Sequence, residues 1–172
     1  MHFKFCPECG AKLGECAFGD DGFVPWCACC KHPYFDLFPV VTVTLVANEF
    51  GEVALLKQKY MSEKYCNFVS GYVRPGENME LCARREVLEE IGVTVTKLRF
   101  ACSHYDEAQQ LLLAGFIAEG VKTAFALSEE VNAARWVKAQ DAVALIYPEG
   151  NITHQLLTLY LKDEGGAMEP CC

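Results

Sequence analysis

From residue 40 onward, short β-branched runs alternate with stretches of helical period. Residues 40–47 (VVTVTLVA) read as a strand, and residues 53–58 pair with it across a turn at Asn48, Glu49, Phe50 and Gly51. Residues 67–72 make a third strand. Residues 79–91 carry a helical period that stops at Gly92, a residue suited to the position just past a helix end. Beyond it, residues 95–102 and 110–118 read as strands, 134–137 as a short strand, and 139–146 and 152–161 as helices. The pattern predicts an α/β domain with a mixed sheet flanked by helices. Residues 1–35 have no such period. The chain therefore divides into a small module at 1–35, a domain at 36–165 and a disordered tail at 166–172.

Composition narrows the function classes. At 172 residues the chain holds one full domain plus an appendage, and 52% hydrophobic residues supply a sizeable core. No apolar run is long enough to cross a bilayer. The opening MHFKFCPECG resembles no signal peptide, so a cytoplasmic location is expected and no membrane partner. The net charge of −8 opposes binding to nucleic acid.

Eleven cysteines change the picture of the N-terminal module. Cys6 and Cys9 form one C-x2-C pair and Cys27 with Cys30 a second, the spacing of a zinc ribbon with four thiolates around a structural Zn²⁺. Cys29 lies inside the second pair and competes with Cys30 for the fourth position. The segment between the pairs has too few periodic apolar residues to fold without metal. Its few basic residues, Lys4, Lys12 and Lys31, argue for a structural ribbon over a nucleic-acid contact.

The densest chemistry lies at residues 71–93, GYVRPGENMELCARREVLEEIGV. Glu86, Glu89 and Glu90 stand at i, i+3 and i+4, so a helix presents all three on or near one face, where like charges repel. A hard divalent cation such as Mg²⁺, which takes oxygen ligands and bridges to phosphates, relieves that repulsion. The alternative is a solvated acidic face on a helix whose buried side is Leu81, Val87, Leu88 and Ile91.

These residues resemble the Nudix box, G-x5-E-x7-R-E-U-x-E-E-x-G-U, with U a bulky aliphatic. Gly71, Glu77, Arg85, Glu86, Val87, Glu89, Glu90, Gly92 and Val93 match its fixed positions. The resemblance implies a Nudix α/β/α sandwich and a hydrolase that uses Mg²⁺ or Mn²⁺ to cleave the pyrophosphate bond of a nucleotide substrate. It also implies roles. Glu86 and Glu90 are metal ligands, Glu89 ligates or acts on the attacking water, and the Ser70 carbonyl completes a metal site. Glu77 and Arg85 pair to orient the loop and helix between Gly71 and Gly92.

A ribbon directly before such a domain is similar to the NADH pyrophosphatase group. By that resemblance Phe35 or Tyr34 contributes an aromatic ring to the substrate, and a homodimer is implied. Residues 128–137 (SEEVNAARWV) resemble the group's E-x3-A-x-W segment, which makes Glu130 a further metal ligand or base, with Glu129 its neighbour. Thr153 in GNITHQL stands at the group's G-[ST]-I-A helix start, near the nucleotide. The chain departs from the group's S-Q-P-W motif. Ser103, His104 and Tyr105 stand there as candidate base contacts. The implied substrate is NAD(H), cleaved to NMN(H) and AMP, or ADP-ribose. A nucleoside triphosphate is the alternative, and a non-catalytic nucleotide sensor a third reading.

Overall fold

The structure is a computed structural model that describes residues 3–59 and 64–165. The predicted tail at 166–172 lies outside them. The chain divides into two compact units, with the boundary between Phe38 and Pro39.

The first unit is a three-stranded antiparallel sheet of β1 (Gly14–Ala17), β2 (Phe23–Cys27) and β3 (His32–Pro33). Its buried hydrophobic centre is Cys6, Cys27 and Tyr34. So few apolar side chains bury too little surface to hold a fold of this size without a further constraint.

The second unit is a six-stranded mixed sheet in the order β7-β8-β4-β5-β9, with β6 paired to β4. The strands are β4 (Val40–Ala47), β5 (Glu52–Gln58), β6 (Val69–Tyr72), β7 (Val95–Asp106), β8 (Leu111–Gly120) and β9 (Val131–Lys138). Helix α1 (Met79–Ile91) follows β6, and α2 (Ala139–Ala142) and α3 (Ile152–Gly165) follow β9. Central β4 is buried almost throughout, which explains its run of valines and threonines. Val41, Val43 and Leu45 pack with Ile152, Leu156 and Leu157 of α3, while Val46 of β4 packs with Val87 and Ile91 of α1. Two cores on opposite faces make an α/β/α sandwich.

The expected hairpin of β4 and β5 forms only at its turn. Asn48 closes the turn by accepting from the Phe50 and Glu52 amides at 2.9 and 3.2 Å, but the strands pair only at Ala47 and Val53. Further along they splay, because β6 enters between them. It pairs Val41–Thr44 against Tyr72–Val69, and Asn67 exchanges backbone hydrogen bonds with Leu56 at 2.8 and 2.9 Å. This wedge carries Ser70 and Gly71 to the mouth of the split. Thr44 Oγ1 and Asn67 Nδ2, both buried, find no hydrogen-bond partner among the described residues.

The predicted helix at 139–146 is a single turn, α2. The Cys66 amide bonds the Leu145 carbonyl at 2.8 Å and Cys66 bridges to Ile146, so this segment is drawn against the sheet. Among the described residues no helix is long and apolar enough to cross a membrane.

Helix α1 begins on Asn78, whose Oδ1 accepts from the Leu81 amide at 2.8 Å. It ends on Gly92, at φ 70° in the left-handed region, whose amide bonds the Leu88 carbonyl at 3.0 Å. A side chain here would also meet Ala126 Cβ at 2.7 Å. Gly92→Ala is therefore expected to destabilise by at least about 1–2 kcal/mol, the left-handed cost alone, measured by urea denaturation.

Candidate active site

Helix α1 turns its acids partly inward. Its buried residues are Cys82, Ala83, Val87, Glu90 and Ile91, while Leu81 and Leu88 are each 56% exposed. The solvated-face alternative is overturned, because two of the leucines it would bury face water and Glu90, 4% exposed, is among the buried side chains.

Arg85 organises this surface. Its Nε and Nη2 donate to the two oxygens of Glu77 at 2.7 and 2.8 Å, its Nη1 pairs with Glu86 and with Glu89 at 3.1 Å, and its Nη2 reaches the Tyr72 carbonyl at 3.2 Å. One cation thus joins the loop to three acids of the 71–93 segment. Glu77 also accepts from the Arg74 amide at 3.1 Å, fixing the loop turn. The Arg85 guanidinium holds the Glu77 carboxyl well down, at about 2, against the opposing effect of burial.

Gly71 lets the site close. A Cβ built on it overlaps the Glu86 carboxyl group, so a larger residue displaces that acid. Beneath lies buried Cys82, whose thiol is 3.3 Å from Thr42 Oγ1. Glu90 accepts two hydrogen bonds from Gln58 Nε2, at 3.0 and 3.1 Å. Burial first, then the charges of Glu86 and Glu130, push its carboxyl up to about 8 against the Gln58 and Ser70 hydrogen bonds. Burial also raises Glu86, with Arg85 pulling the other way. An all-oxygen set of crowded acids, one buried and reluctant to ionise alone, fits a hard divalent cation.

These residues line a cleft of about 1020 Å³. Of the predicted site residues it takes in Ser70, Gly71, Glu86, Glu89, Glu90, Glu130 and Thr153, with Glu129 beside Glu130. Ser103, His104 and Tyr105 do not line it. Strand β7 runs on through them, paired with Ala114, Leu113 and Leu112, and its last residue Asp106 and Gln109 of the following turn line the cleft instead. Sequence reasoning also missed Gln58, Asn67, Arg74, Tyr147 and Asn151. Only Arg74 carried a signal, a cation inside the acidic loop–helix segment.

In the first unit the sulfurs of Cys6, Cys9, Cys27 and Cys30 all lie within 4.8 Å of one another, and Cys29 is exposed outside the group. Cys6–Cys30 and Cys9–Cys27 are 3.8 and 3.6 Å apart, near the roughly 3.8 Å edge of a tetrahedron with Zn–S bonds of about 2.3 Å. The thiols and spacing fit Zn²⁺. Burial opposes ionisation of Cys6, but hydrogen bonds from the Tyr34 hydroxyl at 3.1 Å and from nearby backbone outweigh it and bring the thiol down to about 6. Tyr34 is thus part of the cluster's packing. Phe35 is exposed and packs edge-on against Phe18 at 5.5 Å.

A sequence model of the NUDIX domain family matches residues 37–159. The chain is 32% identical over 171 residues to the NAD-capped RNA hydrolase NudC of Pseudomonas aeruginosa, covering 98% of this chain and 59% of that protein. It thus spans about three fifths of that relative's length. Among solved structures it resembles a NUDIX hydrolase from Nitrosomonas europaea, with TM-score 0.70, 19% identity, and coverage of 95% and 93% of the two chains. It also resembles the NUDIX domain of Shewanella oneidensis NrtR complexed with ADP ribose, with TM-score 0.64, 13% identity and coverage of 77% and 91%. These two likenesses are of fold.

The Glu77–Arg85 pair sets a pH expectation. Because the Glu77 carboxyl is held below its usual value of 4.5, its contribution to stability is complete above that value and fades as the pH falls toward about 2. The gap in urea midpoint between wild type and Glu77→Gln is therefore expected to be widest near neutrality and to shrink in acid.

Proposed function

The chain belongs to the NUDIX domain family, and from its acid-lined cleft we propose that it is a metal-dependent hydrolase cleaving the diphosphate bond of a nucleoside diphosphate joined to a second moiety. NAD(H), giving AMP and NMN(H), or ADP-ribose is the substrate class. The observation that carries this is the gathering of Glu86, Glu89, Glu90 and Glu130 around one cleft, with Glu90 buried among them. The cleft volume suits a ligand of dinucleotide size. The name of the Pseudomonas relative, an NAD-capped RNA hydrolase, supports the same bond.

Mg²⁺ or Mn²⁺, when bound, neutralises phosphate charge and acidifies a water. Glu86 and Glu90 would hold it, with the Ser70 carbonyl from within β6. Glu89 would join them as a ligand, and Glu130 is the acid left to take the proton of the attacking water. Arg85 keeps Glu86 and Glu89 in place without needing to touch substrate. In the first unit, Zn²⁺ on Cys6, Cys9, Cys27 and Cys30 would serve folding. A nucleoside triphosphate is the second reading, favoured by the absence of Ser103, His104 and Tyr105 from the cleft lining.

Product identification by mass spectrometry tests the proposal. NAD⁺, NADH, ADP-ribose and nucleoside triphosphates are incubated with Mn²⁺ or chelator. AMP with NMN or NMNH, reduced by about 10²-fold or more in Glu90→Gln, is expected. Cleavage of triphosphates alone would favour the second reading, and metal-independent cleavage would sink both.

Metal binding carries its own signature. With its carboxyl near 8, Glu90 is mostly protonated at pH 7 and must lose that proton to ligate. Calorimetric titration with Mn²⁺ at pH 7 is expected to show an enthalpy that depends on the buffer's ionisation heat, with affinity rising up to about pH 8. Equal enthalpies in PIPES and Tris would refute this.

A further inference from the structure

The cleft poses an electrostatic problem for any phosphate-bearing ligand. Glu86, Glu89, Glu90, Asp106, Glu129 and Glu130 line it, and among the described residues Arg74 is the one basic side chain in that lining. A divalent cation would offset only part of the charge of six lining acids. The position of Arg74 is therefore worth more than that of an ordinary surface arginine.

The backbone of Arg74 is held from two sides, while its side chain reaches into solvent. Its amide donates to Glu77 Oε2 at 3.1 Å and its carbonyl accepts from the Glu77 amide at 3.0 Å, closing the turn on both sides. Glu77 is in turn gripped by Arg85. The side chain, by contrast, is 60% exposed, and the ion pair described for it is a single contact of Nη2 with Glu89 Oε2 at 3.3 Å. That oxygen is shared, since Arg85 Nη1 also donates to it, at 3.1 Å. If Arg74 leaves, Glu89 keeps a partner, so departure exposes no orphaned charge. A guanidinium on a rigid pivot, weakly held and set among acids, is built to exchange its partner. Its planar fork suits a phosphate as well as a carboxylate.

We infer that Arg74 is a substrate-binding residue that shares Glu89 and transfers to a non-bridging phosphate oxygen of the substrate once Glu89 is engaged by the divalent cation. The exchange breaks and makes hydrogen bonds only. It gives the acidic cleft a cation that is available when a phosphate is present and occupied when none is. This rests on the proposed diphosphate chemistry and adds a specific phosphate contact to it.

The test is a paired measurement on Arg74→Ala and Arg74→Lys, in the full chain. In nucleotide-free protein, Mn²⁺ affinity by electron paramagnetic resonance is expected to tighten in Arg74→Ala, because a competitor for Glu89 is gone. ADP-ribose affinity in Ca²⁺, measured by calorimetry, and the KM for whichever diphosphate is cleaved are expected to weaken about tenfold, the scale of one exposed charge-assisted hydrogen bond. The kcat is expected to change much less, and Arg74→Lys to recover part of the affinity. Tighter Mn²⁺ with unchanged ADP-ribose affinity would reduce Arg74 to a neutraliser of Glu89 and overturn the inference. So would an unchanged value for both ligands. Wild-type protein that binds ADP-ribose but cleaves nothing would fail the functional reading and leave the Arg74 comparison decisive. Wild-type protein that binds no diphosphate at all would overturn both.

Discussion

Arg85 holds together a surface that would otherwise push itself apart. Three glutamates within five residues of one helix repel, and two of them are partly or wholly removed from water, where repulsion is screened least. The guanidinium answers Glu86 and Glu89 with one end and Glu77 with the other, so the same ion that calms the helix also anchors the loop. Its own side chain is only 17% exposed, which keeps water from weakening those bonds. Glu90 lies outside this grip. It has Gln58 in place of a cation, and burial, with the charges of Glu86 and Glu130, makes its carboxyl hard to ionise in spite of those hydrogen bonds. The charge missing from the helix is the charge a metal would bring.

The loop and the helix were readable from the sequence because their determinants are local. Asn78 capping the start, Gly92 ending the helix and the acids between are all set by neighbours within a turn or two. What escaped depends on distant pairing. Residues 139–146 have a plausible helical pattern, but the backbone of Cys66, far away in sequence, captures Leu145 and Ile146. The strand expected over residues 95–102 finds partners on β8 all the way to Asp106, so the candidate base contacts Ser103 to Tyr105 continue it. The fold class survives such errors, since it follows from the order of elements. The lining of a cleft does not.

Gln58 shows the limit from the other side. A glutamine at the end of a strand has no compositional signal for function. It becomes important because the wedge of β6 parts β4 from β5 and α1 lies over that face, bringing Gln58 within 3.0 Å of a buried carboxylate. Glu130, an acid just before β9, differs in that the E-x3-A-x-W resemblance named it, while its effect on the Glu90 carboxyl comes only from the fold. For Gln58 the signal lies in three-dimensional arrangement alone.

The wedge has a further cost that bears on durability. Opening the sheet for β6 leaves the Thr44 hydroxyl and the Asn67 amide buried without partners among the described residues, and each such group typically forfeits about 1–3 kcal/mol. Against the roughly 5–15 kcal/mol that holds an ordinary domain together, that is a heavy sacrifice to concentrate beside the cleft. A scaffold bearing it trades thermal tolerance for a central split that stays open.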